Sequence, residues 1–210
     1  MRRVFLALCL ATVALALIAL PRERADPAIA QVAAVASRTK APGYERSRFG
    51  PGWRTERGMG CDMRAVVIGA ALSPGTKAPC AIDEGTLTDP YSGDSLTLAP
   101  GGASPVEIDH VFPLSAAWDL GASQWGDARR SDFANDPLNL VAVSREENQD
   151  KSDQLPSQWL PSDRGNRCWY AGRLARVAVK YELPLPRADL RAMKRQCSPI
   201  DRVHPLSKRR

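Results

Sequence analysis

Asp109 and His110 stand side by side in Val106-Glu107-Ile108-Asp109-His110-Val111-Phe112-Pro113-Leu114, and His110 is one of only two histidines in the chain. A neutral imidazole has its reference pKa near working pH and can take a proton from water. Asp109 and the later Asn148 offer hard oxygen donors of the kind Mg²⁺ or Mn²⁺ prefers. Two protein ligands leave coordination positions for water and for phosphate oxygens. An activated water beside a cation that offsets charge on a phosphate and its leaving oxygen is the chemistry of phosphodiester hydrolysis. Lys151 lies one helical turn past Asn148 and would face the same phosphate. Each residue alone has a plainer reading: a surface Asp-His hydrogen bond, a solvated Asn148, a turn-forming Asn139, a solvated Lys151. Their order and spacing together point to a site.

The elements that must position these residues are legible. Val106 to Val111 reads as a strand rich in β-branched residues. Asn139 to Val143 is a second short apolar run. Ser144-Arg145-Glu146-Glu147 is a capping box that starts a helix, with Asn148 about one turn in. Regular pairing would put Asp109 and His110 on opposite sides of their strand, so a bulge or loop start is needed to aim both at one phosphate. The long connection from His110 to Asn139 is expected to hold short helices at 115–121 and 126–134.

This ordered set, Asp-His-x-x-Pro-Leu, then Asn-Leu, then Asn-x-x-Lys, resembles the ββα-metal motif of HNH endonucleases, and the step from Asn139 to Asn148 matches that family's second and third signature positions. The wider chain, over roughly 44–197, resembles a secreted bacterial subgroup related to the C-terminal domain of GmrSD restriction endonucleases. Cys61-Asp-Met-Arg64, Asp89-Pro-Tyr-Ser-Gly93, Gly121-Ala-Ser-Gln-Trp125, the segment from Arg130 to Leu140 and Trp159-Leu-Pro161 carry that likeness. It implies an α+β fold with a ββα-metal core, a short antiparallel hairpin and flanking helices. It implies Asp109 and Asn148 as metal ligands, His110 as general base and Asn139 as the brace of the loop carrying His110. It also brings Arg64, off the inner face of its helix, within reach of a phosphate. The third signature position is Asn148 rather than histidine, which moves the expected metal from zinc to Mg²⁺, with Mn²⁺ as the alternative.

Arg2-Arg3 before the uncharged run from Val4 to Leu20 reads as an export signal, and Ala28-Ile29-Ala30 before Gln31 as its cleavage site. The expected organisation is a signal over 1–30 (or an uncleaved anchor), a flexible tether over 31–43, one domain over 44–197 and a basic tail over 198–210 holding His204. Arg46, Arg48, Phe49 and Trp53 form a basic, aromatic arm that either contacts nucleic acid or packs on the domain.

Apart from Cys9 in the apolar run, four cysteines remain, an even number that reads as disulfides in an exported chain. Three pairings are possible. Cys61–Cys80 and Cys168–Cys197 are favoured because each brackets one local unit. Asp62–Leu72 reads as a helix with Met63, Val66, Val67 and Ala70 inside, and Gly85–Leu98 as a hairpin about Asp89-Pro-Tyr-Ser-Gly93. Residues 168–182 and 186–196 read as two helices whose inner faces are Tyr170, Leu174, Val177, Tyr181 and Leu190, Met193, Cys197.

The chain carries 29 Lys+Arg and 23 Asp+Glu, unevenly placed. From Arg164 onward there are 13 basic and 3 acidic residues, a net of +10; from Asp83 to Asp153 there are 4 and 14, a net of −10. A basic helical pair containing Arg173 and Arg176 beside an acidic centre suits a phosphate polymer. The expected activity is a secreted, monomeric, metal-dependent endonuclease acting on DNA, and on RNA by the same chemistry, with little sequence preference and no lasting membrane association. The competing reading is a secreted nucleic-acid-binding protein that kept the fold without turnover.

Overall fold

The computed structural model describes residues 25–55, 60–72, 84–101 and 104–197, with a few single positions outside these. Most of the apolar run Val4–Leu20, and the tail with His204, lie outside the described residues. Among the described residues no helix is long and apolar enough to cross a membrane.

The centre is an antiparallel hairpin of β4 (Val106–His110) and β5 (Leu140–Ser144), paired from Val106 opposite Ser144 to His110 opposite Leu140. Both faces of this hairpin are covered. Val106, Ile108, Leu140 and Ala142 enter one apolar cluster with Met63, Ile68 and Leu72; Val141 and Val143 enter a larger one with Tyr91, Phe112 and Tyr170. Two-sided burial explains why β5 reads as a continuous apolar run instead of an alternating one. Pairing is regular through His110, with no bulge.

Helix α5 (Arg145–Lys151) follows β5 directly, and Ser144 Oγ accepts from the Glu147 amide at 3.2 Å. Only this half of the expected capping box forms. The Ser144 amide donates instead to Asp89 Oδ2 at 2.9 Å, and the Glu147 carboxylate accepts from the Ser162 hydroxyl. The connection between the strands contains α3 (Leu114–Asp119), a 3₁₀ turn at Ala122–Gln124 and α4 (Asp127–Ala134).

Around this centre lie α2 (Met63–Ala71), capped by Asp62, and the hairpin of β2 (Gly85–Thr88) and β3 (Ser95–Leu98). The inner face of α2 is Met63, Ala65, Ile68 and Gly69, rotated from the expected stripe: Val66 and Val67 are half-buried and Ala70 is exposed. Ile68 is fully buried against the central hairpin and sets that rotation. Helices α6 (Arg167–Lys180) and α7 (Arg187–Gln196) close the other side, with the expected apolar residues inside. Disulfides join Cys61 to Cys80 and Cys168 to Cys197. The second clasps the start of α6 to the end of α7. The architecture is α+β with small sheets.

The segment expected as a tether is packed. Helix α1 (Ala28–Gln31) buries Ala28 and Ile29, and β1 (Ala34–Val35) pairs in parallel with β6 (Leu185–Pro186). Arg38 is clamped by Asp119 at 2.6 Å, Asp153 at 2.7 Å and Ser115 at 2.7 Å. Asp26 packs against Gly172 and pairs with Arg176. A cut after Ala30 would fall inside α1, and packed residues lie ahead of Tyr44, as far back as Asp26 among the described residues. The sequence hides this because the anchors Arg38 and Asp119 are 81 residues apart.

Candidate active site

The segment Arg130–Leu140 is a bracket in which nearly every residue has a partner. Arg130, 6% exposed, donates to the carbonyls of Arg48, Ala122 and Trp125 and to the Asp127 carboxylate. Phe133 is fully buried. Asn135 Oδ1 accepts from the Arg54 amide at 2.8 Å. Asp136 accepts from Tyr181 Oη at 2.9 Å and Lys180 Nζ at 2.6 Å, tying the loop to α6. Fully buried Asn139 accepts from the Phe112 amide at 2.8 Å and donates to the carbonyls of Phe112 and Phe133, while its own carbonyl accepts from the Val111 amide. The chain immediately after His110 is therefore fixed by Asn139.

His110 ends β4. Its Nε2 lies 2.9 Å from the carbonyl of Ala134. A carbonyl only accepts, so Nε2 carries the proton and Nδ1 keeps the lone pair. Trp53 stacks on the ring at 5.6 Å and 14°. Burial pushes the imidazole pKa down to about 3; the nearby Arg46 and Lys151 charges push the same way, and the bond to Ala134 opposes them. His110 is thus neutral at working pH.

Asp109 points to the other side of β4, toward α5. Its Oδ1 accepts from Lys151 Nζ at 2.8 Å and its Oδ2 from Tyr91 Oη at 2.6 Å. Lys151 is fully buried and also donates to the His110 carbonyl at 2.9 Å. Burial raises the Asp109 pKa and lowers that of Lys151, and their mutual attraction opposes both shifts. Tyr91 sits at the turn between β2 and β3. Buried Asp89 fixes that turn by accepting from the Tyr91 amide at 2.8 Å, and fixes the start of α5 through the Ser144 amide. One turn thus braces both Asp109 and the helix carrying Asn148.

These elements enclose an open cleft of about 430 Å³ lined by Tyr44, Arg46, Asp109, His110, Ser115, Asn148 and Asp153, among others. A smaller cavity of about 120 Å³ adjoins His110 and is walled by Arg46, Phe49, Gly52 and Trp53. The opposed faces of Asp109 and His110 meet at this cleft because both border its edge, without a bulge. Asn148 donates through Nδ2 to Glu107 at 2.7 Å, and its Oδ1 accepts from no described residue. The Asp109 carboxylate accepts from Lys151, from Tyr91 and from the backbone of His110, and two oxygens with about four lone-pair sites leave acceptor capacity over. One carboxylate sharing its charge with Lys151 and one amide oxygen fit a weakly held, oxygen-preferring divalent cation, not zinc. Among the described residues no group of three His, Cys, Asp or Glu could by itself hold a metal.

The expected phosphate contacts fall elsewhere. Lys151 is enclosed beneath Asp109 and cannot reach a substrate. Arg64 borders a separate groove with Ile68, Leu98 and Ser104. Arg173 spends its guanidinium on the carbonyls of Pro137, Leu138 and Leu140. Arg176 pairs with Asp26. Two residues of the site went unassigned in the sequence: Tyr91, whose signal is a large aromatic in an otherwise polar turn motif, and Arg46, visible only as one cation of a basic arm.

Comparison with known proteins places this geometry among relatives. The family described as GmrSD restriction endonucleases, C-terminal domain, matches residues 72–184. A protein of Arthroderma benhamiae, described as an uncharacterized secreted protein, is 37% identical over 154 residues, which is 72% of each chain. No solved structure matches.

Proposed function

Because the chain belongs to the family of GmrSD restriction endonuclease C-terminal domains, we propose that it is a secreted nuclease hydrolysing the phosphodiester bonds of DNA in the His110 cleft. Export is supported by the relative's description as secreted and by the two disulfides, which persist in oxidising compartments. The β4–β5–α5 succession is read here as a ββα-metal core.

The observation that carries the proposal is the tautomer lock on His110. The Ala134 carbonyl holds the proton on Nε2, leaving the Nδ1 lone pair free on a ring that borders the cleft; burial lowers its basicity, and the negative charge of a bound phosphate raises it again. Nδ1 takes the proton of a water attacking the phosphorus, and the imidazolium formed is stabilised by the negative charge the substrate brings. Asn139 keeps the ring in place by pinning Phe112. Asp109, oriented by Lys151 and Tyr91, and the free Oδ1 of Asn148 would hold Mg²⁺ or Mn²⁺. Such a cation supplies offsetting charge for the phosphate and the leaving oxygen. Digestion of plasmid DNA by the purified chain with Mg²⁺, with Mn²⁺ and with EDTA tests this. Cleavage with either cation and none with EDTA is expected; no cleavage under any condition would reject it.

A further inference from the structure

The family match covers residues 72–184, yet one wall of the cleft comes from outside it. Tyr44, Arg46, Phe49, Gly50, Gly52 and Trp53 all lie before the matched segment and line one or both of the cavities that meet at His110. This arm is built in. Arg38 fixes its start to Asp119 and Asp153, Trp118 Nε1 donates to the Pro42 carbonyl at 3.1 Å, Arg130 holds the Arg48 carbonyl, and the Arg54 amide bonds Asn135. Phe49, 2% exposed, packs against Trp118 and Phe133.

Within the arm Arg46 has a distinct position. It borders both cavities that meet at His110, it is exposed, and its guanidinium forms no hydrogen bond or ion pair with any described residue. The other cations once expected at the substrate are enclosed, engaged by carbonyls, paired with Asp26, or set in another groove. Among the described residues lining this cleft, Arg46 supplies the cation in a wall that also holds Asp109 and Asp153, and a free guanidinium beside the general base can grip a phosphate through two parallel bonds. Resting on the nuclease reading above, we infer that the residues of the arm that line the cavities, Arg48 not among them, form the substrate-binding wall of the cleft, with Arg46 as the contact to the phosphate being cleaved. Trp53, stacked on His110, closes the same wall and keeps water from one face of the imidazole.

The test uses the full chain and three variants, Arg46→Ala, Arg46→Lys and Arg48→Ala. Arg48 lies on the same 3₁₀ turn and borders neither cavity. Binding of a labelled DNA duplex is measured in EDTA across a salt series, and cleavage is measured with Mg²⁺. Arg46→Ala should flatten the dependence of log affinity on log salt by about 0.9 and lower kcat/KM by about 10²-fold. Arg46→Lys should keep the salt slope and lose most of the rate, because an ammonium cannot grip a phosphate through two parallel bonds. Arg48→Ala should change neither. Wild-type slope and rate in Arg46→Ala, or an equal loss in Arg48→Ala, would overturn the assignment. Absence of cleavage by the wild type would instead defeat the nuclease reading, and the salt slopes would still decide whether Arg46 contacts phosphate.

Discussion

The Nε2–H of His110 donates to the carbonyl of Ala134 at 2.9 Å, across 24 residues of chain. The bond joins the end of β4 to the last residue of α4, and it decides which imidazole nitrogen is free. Arg130, Phe133, Asn135, Asp136 and Asn139 all serve to keep that carbonyl and the following loop in place.

Lys151 and Asp109 form a buried pair, so removing one partner should cost far more than removing both. Lys151→Met leaves the Asp109 carboxylate enclosed without its cation and should destabilise the chain by about 3–5 kcal/mol. Lys151→Met combined with Asp109→Asn should recover part of that loss. Urea unfolding of the three proteins measures it; a single variant as stable as wild type would show that Lys151 does not bear on Asp109.

Tyr91→Phe deletes one hydroxyl from a fully buried ring and leaves Asp109 Oδ2 without its donor. Carboxylates that ligate metals depend on such partners, whose loss typically costs about 10–100-fold in affinity or activity. The variant should fold, bind Mn²⁺ more weakly by that order and regain activity at higher Mn²⁺. Titration by calorimetry beside activity checks both; unchanged affinity would make Tyr91 a packing residue only.

Much of this was readable in advance. The two strands, the helix capped by Ser144, the hairpin turn and the disulfide pairing all rest on local signals: β-branched runs, caps, turn residues and bracketing cysteines. The destinations of long cations were not. Lys151 reads as a phosphate contact because its partners, Asp109 and the His110 carbonyl, are about forty residues away, and Arg173 reads as a substrate-facing cation because the carbonyls it holds carry no sequence signature. Residues 31–43 read as a tether for the same reason. Their fixing contacts are an arginine with distant carboxylates and a parallel pairing of two residues, neither of which has a local period.

The packing of residues 31–43 yields a pH prediction. The Ser115 hydroxyl, with the Arg38 and Lys40 side chains, holds the Asp153 carboxyl well below the usual carboxylate range. The folded pKa is depressed, so the stability it contributes is fully present above the ordinary carboxylate value of 3.8 and is lost as pH falls below it. Arg38→Ala should lower stability at neutral pH by about 3 kcal/mol, because the part-buried Asp119, whose carboxylate is almost enclosed, loses its 2.6 Å ion pair. It should also blunt the acid-induced fall between pH 4 and pH 2. Thermal melts of both proteins over that window report it; parallel curves would remove Asp153 from the account.

The claim on which the rest depends is that His110 is the base while Asp109 and Asn148 hold the cation. The most direct test measures turnover of DNA and Mn²⁺ affinity together for His110→Ala, Asp109→Ala and Asn148→Ala, at matched folding. His110→Ala should lose about 10²–10⁴-fold in rate with cation affinity nearly unchanged. Asp109→Ala, and more mildly Asn148→Ala, should bind the cation more weakly and recover in part when it is raised. Near-wild-type cleavage by His110→Ala would contradict the account and leave His110 as a buried histidine that merely ties β4 to α4.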